Sequence, residues 1–169
     1  MSQLNNIRIE LQEKTKEKAK QNGNSVPMEK TIIGTYHMNG SPQFSADLKT
    51  EASVFHMNCD EPSVLGGPAI NPTPLTYLLF GVMACYSSSL ASQCASENIE
   101  LKELKIRGKL IYDIGPAVIE SPNPIIKGLN LEVISDRKLT EQIGRAWKKC
   151  PAVFAIQNPI PTDITQVES

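Results

Sequence analysis

The chain has 169 residues, of which 40% are hydrophobic and 21% charged, the proportions of one ordinary globular domain with a full apolar core. Its net charge of −1 gives no global attraction to nucleic acid or an anionic membrane, so neither is expected as a partner. No apolar run is expected to reach the roughly eighteen residues that span a bilayer, and the opening MSQLNNIRIELQEK lacks the apolar core of a secretory signal; the expected location is cytoplasmic.

Leu4, Ile7 and Leu11 fall at helical spacing among charges, which predicts an amphipathic helix over residues 4–21. Lys14, Lys16, Lys18 and Lys20 alternate there with Glu13 and Glu17, as on a solvated helix face. The stretch QNGNSVP ends the helix with Gly, Asn and Pro, so residues 1–26 read as helix and linker ahead of a domain over 27–169. Three strand-like runs follow, at 31–38, 43–50 and 52–58, with the turn residues NGSP between the first two, and together they predict an antiparallel meander.

Residues 59–74 hold four prolines and two adjacent glycines, which predicts a long irregular loop of the kind that is usually functional or disordered. From Leu75 to about Asn98 runs the most apolar segment, poor in β-branched residues and preceded by prolines, a helix apolar on most sides and expected to be buried. Alternating patterns predict strands over 101–115 and 125–135, joined by the proline-bearing loop PAVIESPNP. Leu139, Ile143 and Trp147 share one face of a helix over 138–150, Pro151 breaks it, and the VFAI run continues beyond. Strands, a central helix, more strands and a late helix make this an α+β fold, not a parallel βαβ sheet.

Four cysteines stand in this frame: Cys59, Cys85, Cys94 and Cys150. There is no C-x-x-C and no zinc-ribbon spacing, and in a reducing compartment transient redox thiols are a better reading than permanent disulfides. Cys85 precedes the hydroxyl run Ser87-Ser88-Ser89, a polar break in an apolar helix. Cys94 lies nine residues on, on the opposite face at about 100° per residue, and suits a structural role. Cys150 follows Lys148 and Lys149, whose ammonium groups favour a thiolate while the negative helix end opposes it. Cys85 is too far inside its helix for help from the helix dipole, so an activating cation must come from elsewhere in the fold.

His56, Cys59, Asp60 and Glu61, with His37, offer donors but match no standard zinc motif, and no cofactor is expected. Gly66-Gly67 lacks the Lys and Ser/Thr of a phosphate loop and reads as a tight turn. No G-x-S-x-G elbow is present.

The run FHMNCDEPSVLGGPAINPTPLTYLLFGVMACYSSSLA resembles the OsmC/Ohr superfamily, in which a DEP…LGG loop and an NP-x-x-L segment enter a central helix bearing a cysteine. A second family cysteine stands before a proline in the last helix; here Cys150-Pro151 falls 65 residues after Cys85. The resemblance covers roughly residues 31–160. It implies antiparallel sheets wrapped around the central helix in an intertwined homodimer, and a two-cysteine peroxidase cycle reduced by a dithiol or a lipoyl-bearing protein. In one branch of the family an Arg and a Glu hold the first cysteine ionised. Pro74-Leu75-Thr76 stands where that glutamate would be, and Arg8 falls in the expected surface helix. Glu61 is then the nearest carboxylate candidate, with Arg107 and Arg145 as cations approaching in a dimer. The site residues expected are therefore Cys85, Cys150 and Glu61, with Leu65, Leu79, Phe80 and Phe154 as walls for an alkyl chain. The alternative is a redox sensor or binding protein of the same fold without efficient peroxidase turnover; a third reading is a structural dimer whose cysteines are core hydrophobes.

Overall fold

In the computed structural model, which describes residues 3–167, the chain does not begin as a helix. Gln3–Leu4 (β1) and Ile7–Arg8 (β2) form a two-stranded hairpin, and the helix α1 starts only at Ile9, running Ile9–Gln21. The Asn5-Asn6 pair overrides the helical spacing, because both residues adopt positive φ, 53° and 62°, the conformation of a hairpin turn that Asn tolerates better than most residues. Arg8 thus lies on a strand, not in a surface helix. The charged helix α1 buries none of its residues, as its alternating Lys and Glu predict.

The described residues gather into two compact units, 11–80 and 3–10 with 81–167. In the first, Gly34–Tyr36 (β3), Phe44–Lys49 (β4) and Val54–Cys59 (β5) form the predicted antiparallel meander in the order β3-β4-β5. The strand expected over 31–38 is cut to three residues. Only Gly34–Tyr36 pair with β4, and the Phe44 ring lies over Gly34 so closely that a Cβ there would meet its Cζ at 2.1 Å. The loop after β5 carries one 3-10 turn, Ser63–Leu65, closed by Gly66 in the left-handed conformation.

That loop leads into α2, Pro74–Ser96, with prolines ahead of and at its first position, where a missing N–H costs nothing. This helix is 23 residues long, lacks any charged side chain and is long and apolar enough to cross a membrane, contrary to the expectation that no run reaches that length. It persists through its polar residues because Ser87, Ser88, Ser89 and Ser96 donate back to carbonyls three or four residues earlier. Burial follows one stripe, Val82, Tyr86, Leu90, Gln93, Cys94 and Ala95, narrower than the sequence suggests, and Leu78 and Phe80 in its first half are exposed.

In the second unit, Leu104–Tyr112 (β6) pairs antiparallel with Ile126–Ser135 (β7). The loop between them contains a single helical turn, Gly115–Val118 (α3). Alternation with period two turns Leu104, Ile106, Leu131 and Val133 toward a core of Tyr86, Leu90, Cys94, Leu139, Ala146, Cys150 and Val153. Helices α4, Thr140–Lys149, and α5, Pro151–Gln157, complete it. Packing of Tyr86, Leu90 and Cys94 in that cluster is the behaviour of a core helix. The fold is α+β with antiparallel sheets, as predicted.

Candidate functional site

Pro151 shapes the site first. A residue before proline is driven from the helical region toward extended backbone, and Cys150 sits at φ −80°, ψ 117°. It therefore ends α4 and also begins α5, where its carbonyl accepts the Phe154 N–H at 2.9 Å. The sequence placed Cys150 at a helix end alone; the proline makes it a joint between two helices.

That joint turns the thiol inward. Cys150 is 1% exposed, and its Sγ lies 3.5 Å from the Sγ of Cys85, a contact distance about 1.5 Å longer than a disulfide bond. Both sulfurs are reduced. Cys85 is half-buried beside the core cluster. Burial pushes its thiol above the ordinary 9.0, the Ala152 backbone N–H acts in the opposite direction, and the Cys150 thiol adds to the rise. Among the described residues no cation acts on it. Arg107 pairs with Glu132, and Arg145 with Glu97 and Glu141. Lys149, beside Cys150 in sequence, donates to the Gln93 Oε1 at 3.0 Å.

The remaining thiols differ. Cys94 is fully buried in the core. Cys59 lines an apolar cavity of about 400 Å³ with Ile32, Phe44, Met57, Pro74 and Tyr77. Its thiol is pushed up by burial and then by the charges of Glu61 and Asp60. None of Leu65, Leu79, Phe80 and Phe154 lines this cavity, and Phe80 and Phe154 are exposed. Glu61 donates its backbone N–H to the Gln43 Oε1 at 2.8 Å, and its carbonyl faces Gly67, where a Cβ would come within 2.0 Å. That contact explains the second glycine of the pair.

Asp60, read from the sequence only as one of several donors, has a role in the fold that the sequence reading missed. It is 1% exposed and accepts five hydrogen bonds, from Ser41 Oγ (2.8 Å), Gln43 N (2.8 Å), Ile70 N (3.2 Å), Asn71 N (2.8 Å) and Asn71 Nδ2 (2.9 Å). Burial alone would raise its carboxyl; the hydrogen bonds from Gln43, Asn71 and Ser41 outweigh it and hold the group well below the usual carboxylate range. Asp60 thus fastens both ends of the 60–71 loop. An Asp opening a proline- and glycine-rich loop that ends in Asn was the available signal. His56 meets Asp47 across β4 and β5 at 2.8 Å, and His37 meets Ser45 Oγ at 2.9 Å, so the two histidines already have protein partners.

A second polar set joins α2 to α4. Glu97 accepts from Gln142 (2.7 Å), Gln93 (2.5 Å) and Arg145 (2.5 Å), which together hold its carboxyl below the usual range. Tyr86 meets Trp147 edge-to-face at 5.8 Å and donates to the Ile143 carbonyl.

A family model described as OsmC-like protein matches residues 66–165, a span that takes in Cys85, Cys150 and every element from α2 onward. Among solved structures the chain is similar to an organic hydroperoxide resistance protein OsmC from Legionella pneumophila, with 18% identity over 78% of this chain and 92% of that one and a TM-score of 0.59. An OsmC-like protein from Mycoplasma pneumoniae gives 22% identity, 77% and 89% coverage and a TM-score of 0.58. An organic hydroperoxide resistance protein from Elizabethkingia anophelis gives 22%, 78% and 91%, and 0.51. At such identities these likenesses carry the fold. None of the curated proteins compared with the chain matches it.

Proposed function

The chain belongs to the OsmC-like family, and from that premise we propose that it is a thiol-dependent organic hydroperoxide reductase with Cys85 and Cys150 as its redox pair. The observation that carries this reading is the 3.5 Å separation of the two sulfurs, across 65 residues of sequence. Cys85, the more accessible of the two, would attack as thiolate the terminal oxygen of a hydroperoxide. The O–O bond breaks, the alcohol leaves with a proton, and Cys85 becomes a sulfenic acid. The Cys150 thiol then attacks that sulfur, water leaves, and a disulfide forms. A dithiol or lipoyl-bearing protein reduces it by two exchange steps, restoring both thiols and becoming a disulfide itself. Such a reductant fits a cytoplasmic setting.

Within a single chain burial disfavours the Cys85 thiolate, so in this reading the ionising cation comes from the second copy of an intertwined homodimer. Glu61, the carboxylate of the DEP motif, is the residue this reading assigns to hold it. The test is consumption of cumene hydroperoxide with dithiothreitol. Cys85→Ser is expected to reduce it to the rate without protein, and Cys150→Ser to give one turnover and then stall or over-oxidise. Glu61→Gln is expected to slow the first step. Equal rates in wild type and Cys85→Ser would overturn the reading.

The raised Cys85 thiol favours a second reading, a redox switch whose disulfide forms slowly. A peroxide rate near that of a free thiol, with the Cys85–Cys150 bond still found by mass spectrometry, would select it.

A further inference from the structure

Two rows of polar side chains face each other beside the thiol pair. Gln93 stands in the last turn of α2 and Glu97 just past its end; on α4, Glu141, Arg145 and Lys149 stand at successive turns. Glu97 takes hydrogen bonds from Arg145, Gln142 and Gln93, and Arg145 reaches on to Glu141. Gln93 is 8% exposed, yet both ends of its amide are used: Nε2 donates to Glu97 and Oε1 accepts from Lys149. The last tie is made by the residue adjoining Cys150, the first by the helix that carries Cys85.

We propose that Gln93, Glu97 and Lys149 are positioning residues that hold the Cys150 sulfur within reach of Cys85 and thereby set the stability of their disulfide. This rests on the reading of that pair as a redox couple. Magnitude supports it. Closing the bond needs a movement of about 1.5 Å from the observed 3.5 Å contact, and packed helices shift by about 1–2 Å in switching transitions. Freedom of that size is enough to take one sulfur out of range of the other. Disulfide formation from two thiols is a proximity effect, so loosening α4 should lower the equilibrium constant for closing the bond. A change that weakened the reduced and oxidised folds equally would leave that constant where it is.

The full-length chain is equilibrated with mixtures of reduced and oxidised dithiothreitol, and free thiols are trapped by alkylation and weighed. In each exchange the protein disulfide gains two electrons and two protons and dithiothreitol loses them. The expected constant for Gln93→Leu falls about tenfold, near 30 mV for a two-electron couple. Lys149→Met, an exposed change that spares the fold, is expected to fall about threefold, and Lys149→Arg to restore most of it. A disulfide that forms with a constant within twofold of wild type, or higher, in both Gln93→Leu and Lys149→Met overturns the positioning role alone. Failure of wild type to form a Cys85–Cys150 bond at any ratio overturns the redox reading and this inference with it.

Discussion

Asp60 and Cys85 are both acids drawn out of water, and their surroundings move them to opposite sides of their ordinary ionisation. Asp60 meets five donors aimed at two oxygens, so its charge survives burial and fixes a loop. Cys85 meets one backbone N–H and a second thiol, and burial prevails. The contrast shows that desolvation sets a starting cost and the count of donors decides the outcome. It also divides labour: the carboxylate is immobilised, while on the reading proposed above the thiol is left to react once a cation arrives.

Removing the Asp60 charge should have the largest effect. Asp60→Asn presents amide hydrogens to groups that are themselves donors, and proteolysis within residues 60–73 is expected to speed up by more than tenfold, with a fall in Tm greater than for any cysteine variant. An unchanged Tm would mean the loop is held some other way. Next is the ionisation of Cys85. In a protein assayed without peroxide, alkylation of Cys85 by iodoacetamide at pH 7 is expected to be slower than that of a free thiol, and to keep climbing with pH past the ordinary 9.0. Faster alkylation than a free thiol would erase the contrast and reveal the missing cation.

The acid side separates the two groups again. Because the folded-state value of Asp60 is depressed, its contribution is complete above its ordinary 3.8 and is lost only as pH falls below that. Hydrogen exchange of the Ile70 and Asn71 amides should therefore stay protected to about pH 4 and weaken below it, and Asp60→Asn should abolish that dependence. The smallest effects belong to the bystander thiols. Cys94→Ala should cost about 1 kcal/mol of stability through the space it leaves in the core, read by urea unfolding, and Cys59→Ser should leave the Cys85–Cys150 equilibrium unmoved.

Much of this was legible in the sequence, and the reasons differ by element. The long helix, the two alternating strands 104–112 and 126–135, and the Pro151 break follow from periodicity and from the fixed φ of proline, which act locally. The pairing of Cys85 with Cys150 came from their contexts and spacing within a family resemblance. The N-terminal hairpin was hidden because Leu4, Ile7 and Leu11 fit a helix, and only the tolerance of Asn5 and Asn6 for positive φ reveals otherwise. Glu61 drew attention as the carboxylate nearest a suggestive motif. The groups that decide the charge on Asp60 are instead spread from Ser41 to Asn71, and the Gln93–Lys149 tie spans 56 residues. Long-range hydrogen bonds of this kind leave no periodic trace.

The 65-residue separation of Cys85 and Cys150 has a mechanical meaning as well. Once bonded, these two sulfurs close a ring of chain that a pulling force cannot extend, and a fully stretched protein would be shorter by roughly 220 Å. A machine that unravels the oxidised chain from either end would meet two strands side by side at Cys85 or Cys150 where the reduced chain offers one. The oxidation state of a single sulfur pair is thereby made readable as length.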